Sequence, residues 1–203
     1  TTIGHSTHNA VGNTATLTAN GASSVFTGAV TLNSTTNAGS SASIVLGGAS
    51  TTFTGGLVMN DSTGLSKLHV TGAAAQTVAG VINGGGSGKG TLVVTDSTAD
   101  TASDLKTFTG AVGTTNKLVA INIGASNTLA GSAKFQAAVE ATTITLVGGN
   151  HANETGLAEF QAAVTATNIV LNDANTGTTT ATFNATNGVY TVAGTIDGNG
   201  AGK

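Results

Sequence analysis

The chain contains no Cys, Pro, Trp or Arg, and few of its side chains are charged or aromatic. The lack of Cys excludes disulfide bonds. Charged residues make up 7% of the 203 residues, against roughly 25% in an average soluble domain. The six Lys form no basic cluster, so we expect no nucleic-acid partner and no recruitment to anionic membranes. No apolar run approaches the roughly 18–20 residues of a membrane helix, and we predict no membrane insertion of this segment.

Small residues dominate the remainder of the composition. The chain has 30 Gly and is rich in Thr, Ala and Asn, while Val, Ile and Leu recur in short bursts. Disordered chains are poor in such aliphatic residues and rich in charge. We therefore expect a folded core of small aliphatic side chains. The lack of Cys suits either the cytosol or a bacterial surface protein that crosses a periplasm. The composition favours the second, and we expect an extracellular location on a bacterial cell surface.

Internal repeats are plain in the sequence. The segments 133–147 (AKFQAAVEATTITLV) and 158–172 (AEFQAAVTATNIVLN) are identical at ten of their first fourteen positions. The six Phe residues lie in related phrases, such as FTGAV and FQAAV, and most of them follow one another at a nearly constant interval. The resulting period of about 25 residues is typical of solenoids, propellers and repeat arrays.

A longer repeat joins two Gly-rich phrases. Residues 80–89 read GVINGGGSGK, and residues 194–203 read GTIDGNGAGK. We interpret residues 1–203 as a single repeat domain with sub-repeats of approximately 1–89 and 90–203. The first residues of the chain would continue the pattern after residue 203. This favours one unit of a tandem or head-to-tail array, with a cut at convenient Gly-rich loops as the alternative.

Short β-branched segments predict strands. TATLT, SIVL, KLHV, TLVV, TITLV and NIVL are each bounded by Gly, Asn, Ser or Asp, and this composition is typical of strands and turns. Only AKFQAAVEA and AEFQAAVTA have helical composition, but they align with FTGAV, which disfavours a helix. We predict an all-β parallel β-solenoid (β-helix) with roughly 25-residue rungs. About eight rungs at the spacing of paired strands would form a rod of about 35–40 Å.

One position per rung predicts a structural ladder. Side chains at equivalent positions of stacked rungs lie above one another, so aromatic rings should stack through the interior. The predicted ladder comprises Phe26, Phe53, Val78, Phe108, Phe135, Phe160 and Phe183. Lys134 and Glu159 share a repeat position, and we predict that they pair on neighbouring rungs. A surface pair of this kind adds well under about 1 kcal/mol.

The phrases VAGVINGGGSGKGTLVV, VAGTIDGNGAGK, FTGAV and LGGASTTFTGG resemble the passenger regions of rickettsial outer-membrane surface antigens, and autotransporter passengers more broadly. The resemblance covers most of the chain in style, while the VAG phrases are its most specific part. It implies a right-handed parallel β-helix exported through a bacterial outer membrane, with an adhesive or protective role.

Both Gly-rich phrases superficially resemble phosphate-binding loops. A P-loop needs a Gly at its first position, ahead of its last Gly, and Ser or Thr directly after the Lys. Asn83 and Asp197 occupy the first position, and Gly90 follows Lys89. We therefore expect Gly-rich turns between rungs and no nucleotide site.

Metal-binding patterns are incomplete. His5 and His8 could contribute to a zinc or copper site, but His69 and His151 lie in other repeats, and we predict no site for these metals. The candidates for calcium are Asp173, Asn175, Asp197 and Asn199. Their loops lack the bidentate Glu of an EF-hand, and Asn and Asp also suit turns. We predict no cofactor, with calcium as the alternative.

Catalytic and ice-binding patterns are also incomplete. Asp96, Asp100 and Asp104 are the only close acidic cluster, without Arg or an aromatic platform for sugar rings, and we predict no enzyme. T-x-T pairs, which ice-binding solenoids repeat on every rung, occur irregularly.

These observations predict an extracellular structural protein that stacks head-to-tail into a bacterial surface fibre, filament or layer, because unpaired solenoid ends can pair with the next unit. Its expected partner is itself, as an end-to-end homo-oligomer or tandem repeat. The alternative is an adhesin-type autotransporter passenger that binds host or neighbouring cell surfaces.

Overall fold

The computed structural model describes residues 1–4, 14–34, 39–61, 65–72, 74–96, 104–125, 129–149, 155–173, 178–184 and 188–200, without the side chains of residues 173, 199 and 200. Within these ranges there are twenty strands, numbered β1–β20 in chain order, and no helix. Every strand pairs in parallel with strands from the neighbouring turns of the chain. The all-β, parallel β-solenoid prediction is therefore confirmed.

The strands build three faces around one core, and the chain visits them in turn. The first face contains β1 (Thr2–Gly4), β4 (Val30–Asn33), β7 (Leu57–Asn60), β10 (Ile82–Gly84) and β19 (Tyr190–Val192). The second face contains β2 (Thr14–Ala19), β5 (Ser41–Leu46), β8 (Leu65–Gly72), β11 (Thr91–Asp96), β13 (Leu118–Ile123) and β20 (Ile196–Gly200). The third face contains β3 (Ser23–Phe26), β6 (Ser50–Phe53), β9 (Gln76–Ala79), β12 (Leu105–Phe108), β14 (Ser132–Phe135), β16 (Thr155–Phe160) and β18 (Thr178–Phe183).

The two long strands β15 (Val139–Val147) and β17 (Val164–Asp173) run through the corner between the first and second faces. Their first residues continue the first face, since Val112 bridges Ile82 below and Val139 above. Their later residues continue the second face, where Ile144 pairs with Ile121. The stretches AKFQAAVEA and AEFQAAVTA contain strands and no helix, as the sequence predicts. Each also contains the corner from the third face to the first, between β14 and β15 and between β16 and β17.

Rung length follows directly from the strand register. On the second face, Thr16 pairs with Ser43, Lys67 with Thr91, and Thr143 with Asn168. Each of these steps advances the chain by about 25 residues, a length typical of solenoid repeats. The predicted rung size is therefore confirmed. Six complete turns separate β3 from β18, slightly fewer than the eight rungs predicted, because the incomplete rungs at the two ends lie outside this interval.

The core consists of rows of aliphatic side chains that run along the solenoid. One row follows the second face, with its members in register from strand to strand: Leu17, Ile44, Leu68, Leu92, Ile121, Ile144, Ile169 and Ile196. The six inner members are fully buried. Each such side chain gains roughly 1.5–3 kcal/mol on burial, so the strand alternation of inward aliphatic and outward polar residues stabilises every rung in the same way.

The two VAG phrases lie at different corners. In the first, Val78 belongs to the third face and Ile82 to the first, whereas in the second, Val192 belongs to the first face and Ile196 to the second. The phrase is therefore a corner sequence and does not mark equivalent points of a long repeat. Gly80, with a φ of +103°, has only 2.3 Å between its built Cβ position and the carbonyl oxygen of Phe53. This first corner therefore requires glycine.

Candidate interaction surfaces

The first and last rungs leave part of the core uncovered. Ile196 is 62% exposed, although its inner row neighbour Ile169 is fully buried. The apolar residues that pack against the core but are only partly buried belong to the first two or last two rungs: Ile3, Leu17, Ala19, Phe26, Leu171, Ala181, Phe183, Tyr190 and Val192. Among the described residues, β2, β3, β18 and β20 each pair with one strand only. Within the part of the chain that the structure describes, both ends therefore combine unpaired strand edges with accessible apolar surface.

The predicted ladder forms two stacked groups of rings. Phe26 stacks on Phe53 with a centroid distance of 5.0 Å. Phe108, Phe135, Phe160 and Phe183 stack in sequence at 5.0, 5.3 and 5.2 Å. Offset aromatic pairs at such distances add roughly 0.5–1.5 kcal/mol beyond their buried area.

Val78 lies between the two groups but does not join them evenly. It pairs with Phe108 on one side and with Thr51, two positions before Phe53, on the other. A shift by two positions keeps the inward side chains inward, because strand side chains alternate with a period of two. The register therefore slips between β6 and β9 without exposing the core, and this slip separates the two groups of rings.

Lys134 and Glu159 lie side by side on the outside of the third face. They are in register on β14 and β16, with 3.4 Å between the Lys134 Nζ and Glu159 Oε2 atoms. Both side chains are about one quarter exposed. Hydrogen bonds from Asn184 and Gln161 to Glu159, together with the Lys134 charge, hold the pKa of the Glu159 carboxyl below its usual value.

The first Gly-rich phrase forms a turn that hydrogen bonds to neighbouring rungs hold in place. The carboxylate of Asp61 accepts the N–H groups of Ser66 at 2.6 Å and Gly90 at 2.7 Å, and Lys89 Nζ donates to the Asp61 carbonyl. Gly85 and Gly88 donate their N–H groups to backbone carbonyls of the neighbouring rungs. A phosphate cradle needs backbone N–H groups that converge on the ligand, but the N–H groups of Gly85, Gly88 and the following Gly90 already bond to protein acceptors.

A lysine lies inside the solenoid at the corner between the second and third faces. The side chain of Lys106 is fully buried, and its Nζ atom donates to the carbonyl oxygens of Gly72 at 2.8 Å and Ala74 at 2.9 Å. Asp96 lies beside it, with 3.5 Å between Nζ and Oδ1. Burying two charges is costly unless they pair and bond well, so this corner differs chemically from the aliphatic rungs around it.

This buried pair is not among the sequence-based predictions, although the sequence contains a signal for it. Lys106 stands two positions before Phe108, and strand alternation points both residues inward. Ala133, Ala158 and Ala181 occupy the same register position on the following rungs. Gln76 occupies it on the preceding rung and donates from Nε2 to the carbonyl of Gly48 at 2.6 Å.

Burial controls the chemistry of Asp96. Its side chain is 5% exposed, and neither carboxylate oxygen has a hydrogen-bond partner within the described ranges. Burial raises the pKa of Asp96 to about 6, although the Lys106 charge opposes this shift. Burial likewise lowers the pKa of Lys106, against the effect of Asp96 and Asp104. The low-dielectric corner therefore shifts the protonation equilibria of both groups toward their uncharged forms.

The outward side of the second face forms a groove of about 950 Å³. Lys67 supplies one positive charge to its lining. Short polar and apolar side chains from neighbouring strands make up the rest, including Thr16, Ser43, Thr91 and Asn122 and also Val45, Leu65, Val93 and Ala120. Thr16 and Ser43 hydroxyls are 2.9 Å apart. Such a surface offers hydroxyl and amide groups in rows spaced like the strands themselves.

The metal candidates are not assembled within the described part of the chain. His5, His8, His151 and Asn175 lie outside the described residues, as do the side chains of Asp173 and Asn199. Asp197 is exposed and pairs through its backbone with Val170. His69 points outward, as alternation predicts, and bonds to the Thr95 hydroxyl at 2.7 Å. Burial, with a smaller contribution from Lys67, lowers the pKa of His69. Among the described residues, no group of three potential metal ligands occurs.

The structure also shows where the described members of the acidic cluster and of the T-x-T pairs lie. Asp96 is buried against Lys106, while Asp100 lies outside the described ranges. Thr143 and Thr145 point outward on the second face, and the residues in register with them are Ala120, Asn122, Asn168 and Val170. The T-x-T pair therefore does not repeat on the adjacent rungs.

Comparisons of the chain with protein families, curated proteins and solved structures find no match. Across the parts of the chain that the structure describes, no helix is long and apolar enough to cross a membrane.

Proposed function

We propose that this chain is a structural, non-enzymatic module that continues end to end into a fibre, filament or layer on a bacterial surface. The observation that carries the proposal is the exposure of Ile196, at 62%, in a row whose inner members are fully buried. A further rung placed on this end would bury Ile196 as Ile169 is buried now. The proposal requires no cofactor.

Backbone pairing supports the same conclusion. An unpaired parallel strand edge presents N–H and C=O groups to any strand of similar pitch. In solenoids, stability is roughly a sum of rung and neighbour terms, so joining two ends adds the same kind of interface that already holds each rung. The proposed extracellular location rests on the composition, which lacks Cys and contains few charged residues.

Electron microscopy and light scattering of the purified chain over a range of concentrations test this proposal. We expect fibres or short stacks that lengthen with concentration, with solenoid axes aligned along the fibre. The variant Ile196→Lys places an ammonium group on the open end and should abolish stacking. We expect the variant to stay folded because the Ile196 side chain is already largely exposed.

The matched control is Thr191→Lys, which adds the same charge to an exposed, outward position on β19 of the same rung. It should assemble like the parent chain. Single rods at all concentrations for the parent chain, or equal assembly of both variants, would contradict the proposal.

The groove on the second face favours a second candidate function, that of an adhesin passenger binding host or neighbouring cell surfaces. Its rows of hydroxyl and amide groups suit polar surface polymers, and such binding needs only a single rod. Saturable binding of the assembly-deficient Ile196→Lys variant to cells would support this alternative. Replacement of Thr91 with Lys, in the middle of the groove, should then weaken the binding.

A further inference from the structure

We propose that Lys106 and Asp96 are joined by an intramolecular isopeptide bond between the Lys106 Nζ and the Asp96 Cγ atoms. The proposal concerns the buried corner between the second and third faces and does not depend on how the ends of the solenoid assemble. The bond would convert a buried ion pair into a neutral amide and close the segment from β11 to β12 covalently.

The geometry brings the two reacting groups together. The Nζ atom is 3.5 Å from Oδ1 of Asp96, with both side chains almost completely buried. Oδ1 is bonded to Cγ, the atom that Nζ would attack, so the corner supplies the proximity that gives well-oriented intramolecular reactions effective molarities of about 10⁵–10⁸ M. A buried corner also limits access of water, which would otherwise favour the free acid and amine.

The hydrogen bonds of Lys106 orient its nitrogen. Two carbonyl oxygens, those of Gly72 and Ala74, accept from Nζ at 2.8 and 2.9 Å. A neutral amine has two N–H groups, and these two carbonyls can accept both, which leaves its lone pair for attack on Cγ of Asp96. The Lys106 charge favours the ionised carboxylate, and burial opposes it by raising the pKa of Asp96 to about 6.

The reaction balances without any further reactant. A proton passes from the Lys106 ammonium to the Asp96 carboxylate, which leaves a neutral amine and a neutral acid. The amine lone pair forms the N–Cγ bond, the bond from Cγ to the hydroxyl oxygen breaks, and the hydroxyl departs with one amine proton as water. The amide keeps one N–H for a carbonyl of the corner. Burial shifts the pKa values of both groups toward the neutral forms that the reaction needs.

The exposed pair Lys134 and Glu159 is an internal control. Its two atoms are equally close, at 3.4 Å, but both side chains are about one quarter exposed. Hydrogen bonds hold Glu159 in its charged form, and a carboxylate does not react with an ammonium group. We therefore expect no bond at this pair.

Intact-mass measurement of the full chain tests the proposal. We expect most molecules to be lighter than the sequence mass by one water, and both Lys106→Met and Asp96→Ala to have their full sequence masses. Asp197 precedes Gly198, and an Asp-Gly succinimide also loses water, so the position of the loss must be mapped.

Tryptic digestion of the unfolded parent chain maps the position even if both variants fail to fold. Trypsin does not cleave after an acylated lysine, so residues 90–117 should appear as one peptide that is one water lighter, without backbone fragments between residues 96 and 106. Cleavage after Lys134 should be normal. A full parent mass, or cleavage after Lys106 to give residues 90–106 at full mass, would overturn the proposal.

Discussion

Two lysine–carboxylate pairs lie in this solenoid at nearly the same separation, one inside a corner and one on the third face. Lys106 and Asp96 are 3.5 Å apart and buried, whereas Lys134 and Glu159 are 3.4 Å apart and partly exposed. The pKa of Asp96 is raised, and that of Glu159 is lowered. Distance alone therefore does not determine the energetics of an ion pair, because solvent and hydrogen bonds decide which protonation state is favoured.

The largest effect should follow removal of the buried lysine. Lys106→Ala leaves Asp96 in the corner without a partner, and breaking one side of a buried pair costs about 3–5 kcal/mol. Loss of the proposed isopeptide bond would add to this effect. Urea unfolding at pH 8, followed by far-UV circular dichroism because the chain has no Trp, measures it. A loss below about 1 kcal/mol, the range of surface pairs, would place the two pairs in the same class.

Removing both buried partners should be less harmful than removing Lys106 alone. In Lys106→Ala/Asp96→Ala the unpaired carboxyl group is gone, and Ala then stands where Ala133 and Ala158 stand on the next rungs. An unsatisfied buried polar group costs about 1–3 kcal/mol, and we expect the second substitution to recover an amount of this order. If the double variant lost as much stability as the two single variants together, an unpaired Asp96 carboxyl group would not explain the loss in Lys106→Ala.

The Lys106→Ala variant should also become less stable as pH rises. Burial raises the pKa of Asp96 in the folded state, and the lysine that opposes this shift is absent from the variant. The contribution of a group with a raised pKa is fully present below its unfolded value, near pH 4, and is lost as pH rises through its folded value. The stability difference between Lys106→Ala and the double variant should therefore grow from pH 4 to pH 8. A constant difference would exclude titration of Asp96.

The smallest effect should follow changes to the exposed pair. Lys134→Ala should lower the free energy of unfolding by less than about 1 kcal/mol, as is usual for surface pairs. Glu159 has a lowered pKa, so its contribution is present above its unfolded value and is lost as pH falls below about 4.5. Glu159→Gln should thus reduce stability slightly at pH 7 and by a smaller amount at pH 3. An effect at pH 7 as large as that of breaking a buried pair would contradict the comparison.

The sequence predicted the features that repeat. The period, the strand composition and the shared position of Lys134 and Glu159 were sufficient for the fold class and rung size, because each rung repeats the same alternation. Features that occur only once in the chain were harder to predict from the sequence. Lys106 was overlooked since lysine is rarely buried, although its place two positions before Phe108 predicts an inward side chain. The register slip at Val78 depends on packing between two particular rungs, and no local pattern indicates it.

Rung length varies along the second face, yet the inward row from Ile44 to Ile169 stays aligned. The longest step, from Thr91 to Ala120, includes the corner segment between β11 and β12, and the next step, from Ala120 to Thr143, is the shortest. Chain length is thus decoupled from registration: residues can be added or deleted at corners while the interior lattice is conserved. A lineage carrying this fold could diversify its surface loops rapidly under selection without having to evolve a new core.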